Sequence, residues 1–220
     1  MNGSSGIFTG ILLLKAKIAS HTYHIRIQSM DFLQQGPAAS LTAEIFLSNP
    51  YYAPKTTVHQ CSFWNYEPVY HTVDLAVHTG LKDAADEWAD TVQEGDMVFF
   101  RAVSEGPAVD ETGDNYFLIG GSTALSRLYE INRTLAVSKN ISSLVYAEQE
   151  EELFPDLDHS FPLDFFISKP LQPQNIITHI RNHFPECTNT IAYILGDEFI
   201  TKTISETIRK NPSFGIRKFY

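Results

Sequence analysis

Along the first half of the chain, apolar and polar residues alternate. Leu14-Lys15-Ala16-Lys17-Ile18 and Tyr23-His24-Ile25-Arg26-Ile27-Gln28 carry the period of two that marks half-buried strands. The run from Ile7 to Ile18, interrupted by Gly10, Lys15 and Lys17, reads as the first strand. Leu41 to Leu47, Val58 to Trp64, His71 to His78 and Met97 to Val103 predict further strands, and Asn49-Pro50, Glu67-Pro68 and Gly106-Pro107 punctuate them as turns. One short helix breaks the series: Asp83 is placed to cap it, and Ala84, Ala85, Trp88, Ala89 and Val92 give its inner face. Gly95-Asp96 then turns the chain back. Six or so strands with a helix before the last describe a small closed antiparallel barrel.

The second half alternates strand and helix instead. Tyr116 to Ile119 is a short apolar strand, followed by Gly120-Gly121-Ser122-Thr123 and a helix from Ala124 to about Leu135. Leu144 to Ala147 is the next strand and Leu163 to Ile167 a candidate third. Asn175 is read as the cap of a helix through about Phe184. Ile191 to Leu195 is a strand ending in Gly196-Asp197, and Phe199 to Lys210 a helix stopped by Asn211-Pro212. This alternation implies an open parallel sheet covered on both faces. Between the halves, Glu105 to Asn115 is rich in Gly, Pro, Asp and Glu and reads as the linker, giving domains of residues 1–110 and 111–220.

Composition narrows the function classes. The 220 residues carry a formal net charge of −10, and the nearest thing to a charge run, Glu148 to Glu152, is acidic. No basic stripe is present, so nucleic acid is disfavoured as a partner, and an anionic cofactor would have to be held by local dipoles and a few cations. Cys61 and Cys187 lie far apart with no CxxC spacing, which argues against zinc or a thioredoxin-type centre and for two free thiols in a reducing cytoplasm. No apolar run reaches the roughly 20 residues of a membrane helix, so membrane insertion is not expected.

Five short motifs come in a consistent order. They are Ser62-Phe63-Trp64-Asn65-Tyr66-Glu67-Pro68; Val73-Asp74-Leu75-Ala76-Val77-His78 with the helix Ala84-Ala85-Asp86-Glu87-Trp88-Ala89; Tyr116-Phe117-Leu118-Ile119-Gly120-Gly121-Ser122-Thr123-Ala124-Leu125; Tyr193-Ile194-Leu195-Gly196-Asp197-Glu198; and Lys218-Phe219-Tyr220. Over roughly residues 9 to 220 the chain resembles the siderophore-interacting family, whose known members are flavin-dependent ferric-siderophore reductases. The resemblance implies a ferredoxin-reductase-like plan, with a Greek-key barrel holding FAD and an α/β domain holding NADH or NADPH. It implies a ferric siderophore or other ferric chelate as the partner that receives the electrons, in the cytoplasm.

The site residues follow from that resemblance. The family's R-x-Y-[ST] flavin motif falls on His59, Gln60, Cys61 and Ser62, where only Ser62 matches; Ser62 would face the flavin N5 edge. His59 offers a titrating charge in place of a permanent guanidinium fork, and Cys61 removes a stacking surface. Phe63 and Trp64 are candidate substitutes or simply barrel core. His78 matches a family position near the cofactor. The family's phosphate-binding helix start falls on Gly80 to Ala85; Lys82, Ala84 and Ala85 are candidate contacts there, against the alternative that Asp83 merely caps the helix.

In the second half, Gly120, Gly121, Ser122, Thr123 and Ala124 are the dinucleotide turn or an ordinary strand-to-helix turn. Glu148 is a candidate acceptor for a ribose hydroxyl, which would favour NADH. Gly196, Asp197 and Glu198 would lie beside the nicotinamide or cap a helix. Arg217 and Lys218 are cations available to an anion. His179 and His183 stand four apart on one helix, a spacing that can bind metal, but the missing third ligand favours a solvated helix face. A second hypothesis remains open: a non-catalytic relative that has lost FAD and binds a nucleotide or a protein partner. Neither oligomeric state nor the particular chelate is legible.

Overall fold

A computed structural model describes residues 6–34, 41–53, 55–80, 84–104 and 109–220, though not the side chains of residues 33, 34, 41 and 102–104. The chain divides into two compact units, Met1–Ala108 and Val109–Tyr220.

The first unit is a closed barrel of six antiparallel strands: β1 (Phe8–Ala19), β2 (Thr22–Gln28), β3 (Leu41–Phe46), β4 (Val58–Glu67), β5 (Thr72–His78) and β6 (Met97–Ser104), in the order β1-β2-β5-β4-β3-β6. Closure removes every free edge. Alternation fixes which side chains fill it. Ile25, Ile27, Ala43, Ile45, Cys61, Phe63, Val73, Leu75, Val77, Val98 and Phe100 point inward with Leu12 and Phe32, so the residues between them point outward. Strand β1 reaches well upstream of Leu14. Bulges between Leu12 and Leu14 and between Lys17 and Ala19 break its pairing with β2, which is why a strict two-residue period does not run through it. Helix α1 (Ala84–Thr91) buries Ala85 and Ala89 and packs Trp88 partly on the barrel core, while Ala84, expected on the inner face, is exposed.

The second unit is a five-stranded parallel sheet in the order β11-β10-β7-β8-β9, built from β7 (Asn115–Gly121), β8 (Asn140–Ala147), β9 (Phe165–Ile167), β10 (Thr190–Leu195) and β11 (Ile216–Phe219). A single 3-10 turn (Ser122–Ala124) leads into α2 (Leu125–Thr134); α3 (Pro173–His183) precedes β10 and α4 (Glu198–Arg209) follows it. Phe117, Ile119, Leu144, Tyr146, Ala192 and Ile194 form one face with Ile176, Ile177 and Ile180 of α3 and Ile204 and Ile208 of α4. The alternate residues Tyr116, Leu118, Val145 and Ile191 are buried on the opposite face.

Three local details differ from the sequence expectation. The cap of α3 is Gln172, with Pro173 in the first turn rather than Asn175 at the boundary, because proline already has the helical φ and needs no N–H partner there. The glycine pair belongs to β7 itself, and Gly121 is extended at φ −80°. The terminal segment, expected only as a motif, forms edge strand β11. Among the described residues no helix is long and apolar enough to cross a membrane, and both cysteines are free thiols.

Candidate functional site

The strand order has a switch point. From β7 the chain moves through β8 and β9 to one side of the sheet, then returns to place β10 and β11 on the other. In open α/β sheets the crevice at such a point, beyond the carboxyl ends of the strands, is where ligands sit. Here the strands flanking the switch end in Gly121 and in Leu195-Gly196.

Glycines let the chain pack closely at that point. Gly196 has φ +124°, a region that side chains avoid. A methyl group on it would lie 3.2 Å from the Gly121 nitrogen and 3.4 Å from the Tyr146 hydroxyl. A methyl on Gly121 would meet the Tyr146 ring at 3.1 Å. Gly120 has a packing role instead, since a methyl there would lie 2.9 Å from both Leu128 Cδ1 and the Leu195 carbonyl oxygen. Tyr146 is 2% exposed, yet its hydroxyl has no hydrogen-bond partner among the described residues. Burial, reinforced by the charge of Asp197, pushes its pKa upward, so the phenol stays protonated and can donate. A buried donor left unmatched costs about 1–3 kcal/mol, which a bound water or a ligand group would recover.

The remaining sheet-edge candidates separate. Asp197 caps α4, its Oδ1 accepting from the Ile200 N–H at 3.0 Å, and Glu198 begins the helix exposed to solvent. Ser122 is half-buried and its hydroxyl lies 3.4 Å from a Glu152 carboxylate oxygen; Thr123 is exposed and Ala124 buried. Glu148 is engaged elsewhere, accepting the Leu171 N–H at 3.0 Å. Lys218 pairs in register with Ile191, not with Leu195, so it sits away from the strand ends; its ammonium bonds Asp110 at 3.0 Å and lies 4.4 Å from the Tyr220 ring centroid.

On the barrel, the parity of β4 sorts its candidates. Cys61 (4% exposed) and Phe63 (1%) are inside the core, and burial pushes the Cys61 thiol up to about 12. Neither presents a surface to a ligand on the barrel's outside. His59 shares their parity near the strand's end, opposite Ile45, and is half-buried. Ser62 takes the opposite parity and is half-buried. Trp64 is the extra residue of a bulge between Phe63 and Asn65, and its ring meets His24 edge-on at 5.2 Å. His78 Nδ1 is 3.0 Å from the Thr22 hydroxyl. Lys82 and Asp83 lie outside the described residues. Ala84 and Ala85 stand at the start of α1, where Asp86 accepts the Gly80 N–H.

The outer face holds a group that sequence reasoning missed. Asp74, 1% exposed, accepts from His24 Nε2 at 2.6 Å, Arg26 Nε at 2.8 Å and Asn65 Nδ2 at 3.2 Å. Burial alone would raise its pKa, but the bonds from His24, Arg26 and Asn65 outweigh burial and hold it below the ordinary value. The signal was a lone aspartate in the otherwise apolar run Val73-Asp74-Leu75-Ala76-Val77. Tyr146 was missed because a tyrosine ending an apolar strand looks like core.

No family model matches the chain, and no curated protein matches it. Solved structures do. The siderophore-interacting protein SipS of Aeromonas hydrophila superposes with a TM-score of 0.75 at 12% identity, covering 93% of this chain and 85% of that one. A siderophore utilization protein from T. fusca gives 0.71 at 13% identity, covering 98% and 92%. Phthalate dioxygenase reductase, described as a modular structure for electron transfer from pyridine nucleotides to [2Fe-2S], gives 0.73 at 14%, covering 98% of this chain and 68% of that one. The chain therefore has the fold of siderophore-interacting proteins and, more widely, the ferredoxin-reductase-like architecture.

Proposed function

We propose that this chain is an electron-transfer protein that binds a pyridine nucleotide at the carboxyl edge of its sheet and serves, with FAD on the barrel, to reduce ferric siderophores in the cytoplasm. The observation that carries the reading is the buried Tyr146 hydroxyl, unmatched at the switch point between Gly121 and Gly196. A protonated phenol beside two side-chain-free backbones fits a nucleotide, which needs close backbone approach and a few fixed donors. Nicotinamide and flavin supply the redox chemistry when bound; this chain's residues bind, orient and exclude water.

The residues fit the two cofactors unequally. For the nucleotide, Gly121 and Gly196 supply backbone without side chains at the strand ends, and Tyr146 beneath them supplies a donor. For flavin, Ser62 is the hydroxyl on the outward parity of β4. At the pyrophosphate end, position 59 is histidine in place of the motif's arginine, Lys82 lies outside the described residues, and the Gly80 N–H is taken by Asp86. That occupied N–H favours the second reading, a relative that has lost flavin and keeps the nucleotide.

Two measurements on the full chain decide. NADH is titrated calorimetrically into the protein and into Tyr146→Phe. Binding that weakens about tenfold in the variant, the loss of one donor bond of about 1.4 kcal/mol, supports the nucleotide site; absence of binding to the native chain sinks it. Addition of FAD, followed by gel filtration and a visible spectrum, separates the readings. A retained flavin band supports the reductase, and colourless protein supports the flavin-free relative.

A further inference from the structure

Beyond the carboxyl end of β8, the acidic segment Glu148-Gln149-Glu150-Glu151-Glu152 returns toward the end of β7. Its last three residues form a single 3-10 turn, in which the Leu153 N–H donates to the Glu150 carbonyl at 3.0 Å. Leu153 and Phe154 are buried, and the Tyr129 hydroxyl of α2 donates to the Phe154 carbonyl at 2.9 Å. The turn is thereby tied to α2. Glu150 and Glu151 are exposed, but Glu152 is half-buried, and one of its carboxylate oxygens lies 3.4 Å from the Ser122 hydroxyl.

Resting on the nucleotide site proposed above, we propose that Glu152 makes this chain selective for NADH over NADPH. The two nucleotides differ by a phosphate on the 2′-oxygen of the adenosine ribose, a group close to doubly charged at neutral pH. In dinucleotide-binding sheets the strand that follows the glycine turn ends beside that ribose. A carboxylate there accepts from a 2′-hydroxyl and repels a 2′-phosphate. Here that strand is β8, whose Tyr146 pairs in register with Gly121. Glu148, the first acidic residue after β8, is turned to the Leu171 N–H. Glu152 comes back to Ser122, the residue after Gly121. A bond from Ser122 leaves the carboxylate with acceptor capacity for a ribose hydroxyl.

The neighbouring cations are committed. Both guanidiniums of α2 are paired with carboxylates, Arg127 with Glu130 and Arg133 with Asp156. Turning either toward a phosphate would strand a buried acid, since Glu130 is 8% exposed and Asp156 3%. Lys169 is exposed beyond β9, two strands from β7. The local balance around Ser122 is therefore negative, with no paired cation to spare for the extra phosphate.

The test is calorimetric titration of the full chain with NADH and with NADPH at one ionic strength, repeated in Glu152→Gln and Glu206→Gln. Glu206 is exposed on α4, about two turns beyond its start, so its variant removes the same charge from the global field alone. The native chain is expected to bind NADH at least about tenfold more tightly than NADPH, the scale of one like charge a few ångströms from a phosphate. Glu152→Gln is expected to remove most of that gap, and Glu206→Gln to leave it; circular dichroism melts confirm that both variants are folded. Equal or tighter binding of NADPH by the native chain, which capture of the phosphate by Lys169 would produce, overturns the proposal. So does a gap that Glu152→Gln leaves in place or that Glu206→Gln closes equally. A native chain that binds neither nucleotide sinks the nucleotide site itself, and the role of Glu152 with it.

Discussion

Individual side chains carry the sharpest expectations. Tyr146 stores an unmatched hydroxyl in the core of the sheet unit, so Tyr146→Phe should leave stability equal or raise it by about 1 kcal/mol while weakening nucleotide binding. A urea melt beside the calorimetry separates the two. Gly196→Ala should cost about 1–3 kcal/mol, because a side chain at φ +124° is strained and its methyl enters the crevice; denaturant midpoints report the loss. Cys61→Tyr, which would recreate the flavin motif on paper, forces a large ring into a filled barrel. It should lower the thermal midpoint, at a cost of about 1–3 kcal/mol or more.

At the scale of elements, two polar clusters tie strands together. Asp74 joins β5 to β2 through His24 and Arg26 and to β4 through Asn65. Its folded pKa is depressed, so its contribution is full above the unfolded value of about 3.9. That contribution is lost as pH falls through the lower folded value. Asp74→Ala should cost about 2 kcal/mol or more at pH 7 and flatten the acid limb of the stability profile. In the sheet unit, Asp110 accepts from Lys218 at 3.0 Å and from the Tyr220 hydroxyl at 3.1 Å, while the Asp110 N–H bonds the Tyr193 hydroxyl at 2.7 Å. Tyr193 and Tyr220 stack at 4.9 Å. Hydrogen bonds led by those from Thr112 hold the Asp110 carboxyl far below its usual range. Asp110→Ala should speed amide hydrogen exchange in β11 selectively, with β7 and β8 unaffected.

For the molecule as a whole, two separate cores matter most. The barrel closes on itself, and the five-stranded sheet is buried on both faces by its own helices. Residues 109–220 expressed alone should therefore fold cooperatively, giving a single thermal transition and dispersed amide resonances. The net charge of −10 opposes anionic ligands at long range. On the proposed function, binding of a dinucleotide would depend on short-range groups such as the Tyr146 hydroxyl and the backbone at Gly121.

The sequence by itself determined the two-part plan. A period of two followed by strand-helix alternation is a local property, imposed wherever one or both faces of an element are buried, so the barrel, the parallel sheet and the motif order were legible in residue types alone. Local signals also located the turns at Gly95 and Gly196, while the Gly120-Gly121 pair, read as a turn, ends β7 instead. What only the tertiary structure decided is which side chains meet and which face each one takes. A bulge after Phe63 fixes where Trp64 lies, strand pairing brings His24 and Arg26 to Asp74, Glu148 takes the Leu171 N–H, and register sets Lys218 beside Ile191, where it meets Asp110. The physical reason is that parity and partnership depend on register between strands distant in sequence. A hydroxyl left unmatched, like that of Tyr146, becomes visible only once every neighbour is in place.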